Sequence, residues 1–420
     1  MALGRRAIVQ GAGGIALAGL GPALSRAAAR RLPRVRPGDP DWPSAEAWAG
    51  LRDAVGGRLL KVEPLFAACE RDPHSQACAE LLSGIRNPYY IGEQAAGTQT
   101  SGWVDAWMSA PSAYAVPAHS SADVVAAVNF ARTHRVRLII KGGGHSYLGG
   151  SNAPDSLLVW MRPMDRITVH DAFVGQDGAG AAVPAVSVET GARWLPVYNA
   201  VATTAGRYVQ GGGCATVGVA GLVLGNGFGS FSKRYGCAAA GLLEAEVVTA
   251  DGAVRIANDR TEPDLFWALK GGGCCSFGVV TRLTLRTHGL PEFFGGVLGA
   301  IRANSDEAFR RLIARFNAFY ASSLCNPHWG EQVSVRTNNV LNLLLVFQDL
   351  TEAQARAVFK PFLSFVAASP SDYSTEEPIR IIAVPARHWW DPDYLAAELP
   401  SQITRDPRPG APPGNIWWAG

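Results

Sequence analysis

Three glycine triplets hold the chemistry of this 420-residue chain, because each runs straight into a side chain that can act as a nucleophile. Gly142, Gly143 and Gly144 precede His145; residues 211–213 precede Cys214; residues 271–273 precede Cys274. Glycine reaches backbone conformations closed to other residues and lets a ligand lie against bare peptide groups. Successive N–H groups in such a loop can converge as a nest on a pyrophosphate. A neutral imidazole and a thiolate are both competent nucleophiles. Together the loops imply a large phosphate-bearing cofactor with nucleophiles held against it. Plainer readings stand beside each: a hydrogen-bonding histidine, a buried space-filling cysteine, and for 271–273 a tight helix-to-strand turn.

The frame around the loops reads as alternating helices and strands. A helix over 44–60 places Trp48, Leu51 and Val55 at helical spacing. Ser121 is positioned to cap a helix that runs to His134. A buried strand over 135–140 then ends on the first triplet. Short strands follow at 157–160, 167–169 and 186–189, and a helix over 195–204 leads to the second triplet. Strands at 243–249 and 254–257 flank Asp251-Gly252 as a hairpin. A helix over 263–269 feeds the third triplet, and a strand over 277–285 leaves it. No GxGxxG opens a helix after an early strand, which excludes the common dinucleotide fold.

Beyond about residue 290 the pattern changes. Strands at 296–301, 333–337, 340–347 and 379–384 alternate with helices at 306–320 and 352–366. This predicts an antiparallel sheet covered by helices, with a boundary near Pro291. The chain is 48% hydrophobic and 17% charged with a net charge of +3, enough apolar residue for a sizeable core. Nothing in the charge pattern points to nucleic acid.

Arg5-Arg6, an apolar stretch over 7–24 and Ala27-Ala28-Ala29 predict an export signal over 1–29, of the twin-arginine type. The mature protein is then periplasmic or extracellular, with no later membrane span. Residues 30–102 read as a linker and helical segment. Of seven cysteines, Cys69 and Cys78 are expected to pair, while Cys237, Cys274, Cys275 and Cys325 are expected as small core residues. No Cys/His spacing predicts a metal site.

The motifs GGGHSY at 142–147, GGGCATVGVAG at 211–221, SKRYG at 232–236, DLFWALKGGG at 264–273 and SFGVVT at 276–281 occur in the order found in one family. From about Trp103 to Thr287 the chain resembles the FAD-binding domain of the vanillyl-alcohol-oxidase superfamily, particularly the berberine-bridge-enzyme-like and oligosaccharide oxidases. The resemblance implies an α+β architecture: a two-subdomain FAD-binding domain of the PCMH type over 103–290, then a substrate domain over 291–420. It implies FAD bonded twice, through His145 to the 8-methyl position and through Cys214 to C6. Lys141, Gly142, Gly143, Gly144, Ser146, Thr216, Val217, Gly218, Gly221, Gly225, Gly227, Gly236 and Val248 are implied as its other contacts. Tyr147 is implied on the substrate side, as a hydrogen-bond partner or part of a catalytic base. Val217 occupies a position where family oxidases leave room for dioxygen.

The chain departs from the family at Leu222, where several relatives carry a histidine, and at Asn226 and Cys274, which replace glycines. It stops at NIWWAG, where relatives continue, so the substrate domain is expected to be incomplete. The implied reaction takes a hydride from an alcohol, such as a sugar, and passes the electrons to dioxygen as hydrogen peroxide. A dehydrogenase using another acceptor and a non-catalytic flavin-binding homologue are the alternatives. Trp329, Trp389, Trp390, Trp417 and Trp418 could stack on sugar rings or serve as core anchors. The sequence leaves the oligomeric state open.

Overall fold

A computed structural model describes residues 34–99, 110–147, 149–176, 178, 180–400 and 403–418. The expected export signal lies outside the described residues, as do the first positions of the expected cofactor domain. The described chain is α+β, with three main sheets, each covered by helices.

The first sheet holds β1 (Leu60–Lys61), β2 (Tyr114–Pro117), β3 (Arg137–Lys141) and β4 (Ser156–Trp160), in the order β1-β2-β4-β3. Strands β2, β4 and β3 run parallel, so β2 and β3 require a crossover. After the N-terminal helix α1 (Ala45–Ala54), that crossover is α2 (Ser121–His134). Ser120, not the expected Ser121, caps α2. Its hydroxyl accepts from the Asp123 N–H while the Asp123 carboxylate accepts from the Ser120 N–H. This reciprocal pairing requires the hydroxyl to stand three residues before the carboxylate. Ser121 instead donates to Glu246 at 2.5 Å, tying α2 to the second sheet. Arg135, at φ +56°, ends the helix in a left-handed turn. The chain then enters β3, which points the first glycine triplet out of the sheet. Val124, Ala127 and Val128 of α2 pack with Trp48 and Leu51 of α1 on Val116, Leu157 and Val159.

The second sheet is antiparallel. It comprises β5 (Ile167–Phe173), β6 (Val183–Glu189), β7 (Arg207–Val209), β8 (Leu242–Val248), β9 (Val254–Asn258) and β10 (Val279–Gly289). The order is β5-β6-β10-β8-β9, with β7 paired to β10. Its buried face, including Val186, Val188, Leu283 and Leu285, packs on three helical pieces. They are the Trp194–Tyr198 helix with its continuing turn to Thr204, α3 (Val219–Leu224) and α4 (Pro263–Leu269).

The third sheet has β11 (Phe293–Ala303), β12 (Trp329–Arg336), β13 (Val340–Gln348) and β14 (Tyr373–Pro385), in the antiparallel order β12-β13-β11-β14. Helices α5 (Asp306–Phe319) and α6 (Glu352–Ala367) cover one face. Phe316, Phe319, Phe359 and Phe362 pack there on Val297, Leu343, Leu345 and Phe347. A short hairpin, β15 (Ile403–Arg405) with β16 (Ile416–Trp418), follows.

Trp329 is 1% exposed in the core of the third sheet. Trp390 stacks on Tyr198 with ring centroids 4.3 Å apart and meets Phe294 edge-on. These are packing roles, so sugar stacking does not describe either ring. Trp389 lies in the same junction as Trp390, and Trp417 packs beside Tyr89. The Trp418 side chain lies outside the described residues. Cys69 and Cys78 form the expected disulfide, Cα–Cα 4.7 Å. Cys274, Cys275 and Cys325 are exposed and Cys237 is half-buried. They are loop and helix-end thiols, not the core fillers expected from their hydrophobic character.

Candidate functional site: two glycine loops facing each other

The first loop leaves β3 at Lys141 and the second enters α3 at Gly218. They meet main chain to main chain. A Cβ on Gly143 would stand 2.7 Å from both the Gly218 nitrogen and the Thr216 oxygen, and a Cβ on Gly218 would stand 2.8 Å from the Gly143 nitrogen. No side chain fits between them, which is why both positions are glycine. The second loop is laced to its neighbours from the other side. Trp194 N–H donates to the Val217 carbonyl and Leu195 N–H to the Ala215 carbonyl, both at 3.1 Å. Arg193 and Gly218 pair as an antiparallel bridge. Gly211 sits on the Trp194 ring, where a Cβ would come within 2.3 Å.

This contact brings the two nucleophiles together. His145 Nε2 lies 2.9 Å from the Thr216 hydroxyl, and Cys214 Sγ lies 3.8 Å from the same oxygen. The reactive nitrogen and sulfur are therefore no further apart than those two distances laid end to end. Burial lowers the His145 pKa to about 4, helped by the Arg193 charge and opposed by a hydrogen bond to Thr216. The imidazole is thus neutral at physiological pH. Cys214 is exposed, Thr216 is buried, and Tyr147 is 57% exposed two residues beyond His145.

The third triplet closes on the same helix. Gly273 N–H donates to the Leu224 carbonyl, and Cys274 Sγ donates to the Gly221 carbonyl at 3.0 Å. It is both a helix-to-strand turn and a brace for the second loop. Leu222 is wedged between Gly212 and Gly227, its methyls 2.6 and 2.5 Å from where their Cβ atoms would stand. Gly225 is the C-cap of α3.

Four of the residues expected at the cofactor also have partners within the fold. The Lys141 ammonium is 1% exposed and donates to the carbonyls of Gln94, Ala95 and Gly97 at 2.8, 2.5 and 3.1 Å. Burial pulls its pKa to about 7, while those acceptors and the Trp160 ring favour keeping the proton. The side chain anchors loop 94–97. Val248 points into the core beside Val279, because a fully buried β-branched residue in β8 belongs to the packed face. Gly236, at φ +77°, ends the Ser232–Tyr235 helix, a conformation that favours glycine without any ligand. Ser146 caps its own loop, accepting from the Gly150 N–H.

Arg193 carries weight that the sequence did not reveal. It is 2% exposed, it acts on His145, and burial pulls its own pKa down to about 10. It donates to Glu93 at 3.2 Å, and Glu93 also accepts from Arg408 at 2.7 Å. Arg408 in turn holds Asp406 through two bonds of 2.9 and 2.6 Å. The available signal was an arginine inside the apolar stretch GARWLPV. Among the described residues, no His/Cys/Asp/Glu cluster can hold a metal, and no helix is long and apolar enough to cross a membrane.

The donor set fits a flavin. It offers a neutral imidazole and an exposed thiol at one hydroxyl, on loops whose glycines leave main chain facing main chain. Residues 111–258 match the FAD binding domain family. FAD-linked oxidoreductase ZEB1 of Gibberella zeae is 32% identical over 354 residues, 80% of this chain and 61% of that protein. The crystal structure of VAO-type flavoprotein MtVAO615 from Myceliophthora thermophila C1 superposes with a TM-score of 0.75 at 28% identity, covering 91% of this chain and 69% of that one. A glucooligosaccharide oxidase from Acremonium strictum, with 6-S-cysteinyl, 8α-N1-histidyl FAD, has a TM-score of 0.56 at 22% identity over 67% of this chain and 54% of its own. That identity supports a common fold alone.

The chain thus carries an FAD binding domain. It is similar to FAD-linked oxidoreductases and VAO-type flavoproteins, and it spans 61% of the length of the first curated relative.

Proposed function

We propose that this chain is an oxidase of alcohol substrates that holds FAD by bonds to both His145 and Cys214. One observation carries the reading: both side chains reach a single buried hydroxyl, that of Thr216, from loops far apart in sequence. When bound, FAD supplies a ring that accepts a hydride and returns the electrons to dioxygen as hydrogen peroxide. His145, neutral above about pH 4, and Cys214 tether that ring. The doubly linked FAD of the glucooligosaccharide oxidase, on the same fold, supports this assignment.

The remaining loop residues place the cofactor and admit the substrate. Gly142, Gly143, Gly144 and Gly218 bring bare main chain to the cofactor. Tyr147, exposed beyond His145, is placed to hydrogen-bond a substrate hydroxyl. Val217 is a small neighbour of Thr216 that leaves room for dioxygen. The fungal oligosaccharide oxidases among the solved neighbours make a sugar hydroxyl the first substrate to try.

The test has two parts. The purified protein is precipitated with acid, and the pellet is inspected for colour. It is then screened against mono- and oligosaccharides and simple secondary alcohols, with peroxide and dye reduction read in parallel. Yellow pellet and peroxide are expected. Dye reduction without oxygen uptake would replace the oxidase with a dehydrogenase, and a colourless pellet would remove the covalent flavin.

A further inference from the structure

We propose that Thr216 is the positioning residue for both covalent attachments. Its hydroxyl accepts the Nε2 proton of His145, leaving the free lone pair on Nδ1, and holds Cys214 Sγ at the same point. The proposal rests on the reading that FAD is bonded at both residues.

A neutral imidazole has one N–H and one lone pair, and a partner on either nitrogen decides which is which. Nε2 lies 2.9 Å from Thr216 Oγ1. A hydroxyl can donate or accept, so that contact alone leaves the tautomer open. Nδ1 is the ring nitrogen that does not face Thr216, and attack from it needs its lone pair free, which assigns the proton to Nε2 and the accepting role to the hydroxyl. Having accepted from Nε2, the hydroxyl still has its own hydrogen to direct at Cys214 Sγ, 3.8 Å away. One hydroxyl thus sets the orientation of both side chains.

The hydroxyl cannot swing away. Thr216 is 2% exposed. The carbonyls on either side, Ala215 and Val217, accept from Leu195 and Trp194. Its own main-chain carbonyl oxygen would lie 2.7 Å from a Cβ on Gly143, so the first loop closes over the backbone that carries the hydroxyl. Arg193, whose charge acts on the ring, is itself fixed by Glu93, and it disfavours a second proton on the imidazole.

Each attachment replaces a C–H of the ring system by a C–N or C–S bond. The imidazole N–H or thiol S–H hydrogen and the displaced C–H hydrogen leave as two protons, and with the two electrons released they reduce one dioxygen to one hydrogen peroxide per bond. Dioxygen is the only co-reactant required.

The experiment loads FAD into protein from riboflavin-limited cells. It follows adducts on the His145 and Cys214 peptides by mass spectrometry against time, and assigns the linked imidazole nitrogen by NMR of the isolated flavin peptide. Wild type is expected to form both bonds, with His145 linked through Nδ1. Thr216→Ser keeps the hydroxyl and should match it. Thr216→Val keeps the shape without the hydroxyl; its His145 adduct should form roughly tenfold more slowly, the worth of one hydrogen bond, with part of the product at Nε2 and less adduct at Cys214. Thr216→Ala should behave like the valine variant, so one poorly folding variant does not decide the matter. Rates are read only on protein that binds FAD and keeps its thermal transition. Hydroxyl-free variants that acquire both bonds at the wild-type rate, all through Nδ1, would overturn the role of Thr216. A wild type with no adduct on either peptide would instead overturn the bicovalent reading beneath it.

Discussion

His145 stands at the centre of the site because the fold makes its charged form costly. Its pKa in the native protein is about 4, lowered by burial and by Arg193, against about 6.5 in an unfolded chain. As pH falls through that window the unfolded chain takes a proton that the native site refuses, so stability is lost between about pH 6.5 and 4 and is flat above it. In flavin-free protein, His145→Gln should remove up to about 3 kcal/mol of that acid-side loss, read as the difference between urea midpoints of variant and wild type at pH 7 and pH 4.5. Equal slopes for the two proteins would mean that the imidazole is not held neutral. His145 and Cys214 were legible as nucleophiles because glycine triplets are rare and both precede reactive side chains. Arg193 and the carbonyl partners of Lys141 were not. A buried arginine and a buried lysine owe their places to carbonyls and carboxylates distant in sequence, Gln94 and Ala95 for one and Glu93 for the other.

At the scale of elements, the site depends on β3 and α3 presenting glycines at one meeting point. Gly143→Ala should be more harmful than its size suggests. The added methyl meets main-chain atoms at 2.7 Å, and main chain cannot rotate aside as a side chain can. Overpacking of this kind costs typically 1–3 kcal/mol, and here it pushes apart the loops that carry His145 and Thr216. The expected result is a lower melting temperature together with a loss of flavin retained after acid precipitation. Gly213→Ala serves as the control, since its methyl meets nothing within 4 Å; it should melt like wild type. The strands and helices themselves were largely legible. Period-two apolar runs and capped, periodic helices found α2, β8, β9, α4, α5 and α6. Ser121 was misassigned as a cap because two adjacent serines offer the same hydroxyl, and only the position of Asp123 decides between them. The short helices at Ala67–Arg71, Gln76–Gly84 and Pro88–Gly92 fall in the segment expected to be helical, but their separate bounds were not legible because segments of five to nine residues show little periodicity.

Across the whole molecule, the last described segment is tied back to the N-terminal helical segment, whose Glu93 holds Arg193 beside the site. Asp406 accepts from Arg408, Asn415 and Asn87; although burial works the other way, these bonds hold its carboxyl well below the usual range. Tyr89, fully buried, donates its hydroxyl to the Ile416 carbonyl at 2.9 Å. Removing one partner from such a network leaves the other charge uncompensated, so Asp406→Asn should cost about 3 kcal/mol. It should also loosen 403–418 in hydrogen exchange before the sheets open. These ties were beyond sequence reasoning because they join residues more than 300 positions apart. They stand behind Arg193, and hence behind the neutral imidazole on which the account turns. Its most direct test is mass spectrometry of tryptic peptides from protein purified with its native flavin. The account predicts one FAD bridging two peptides, one with His145 and one with Cys214, and a single bridge only when either residue is replaced by alanine. Flavin released intact by acid, with both peptides at their unmodified masses, would contradict it.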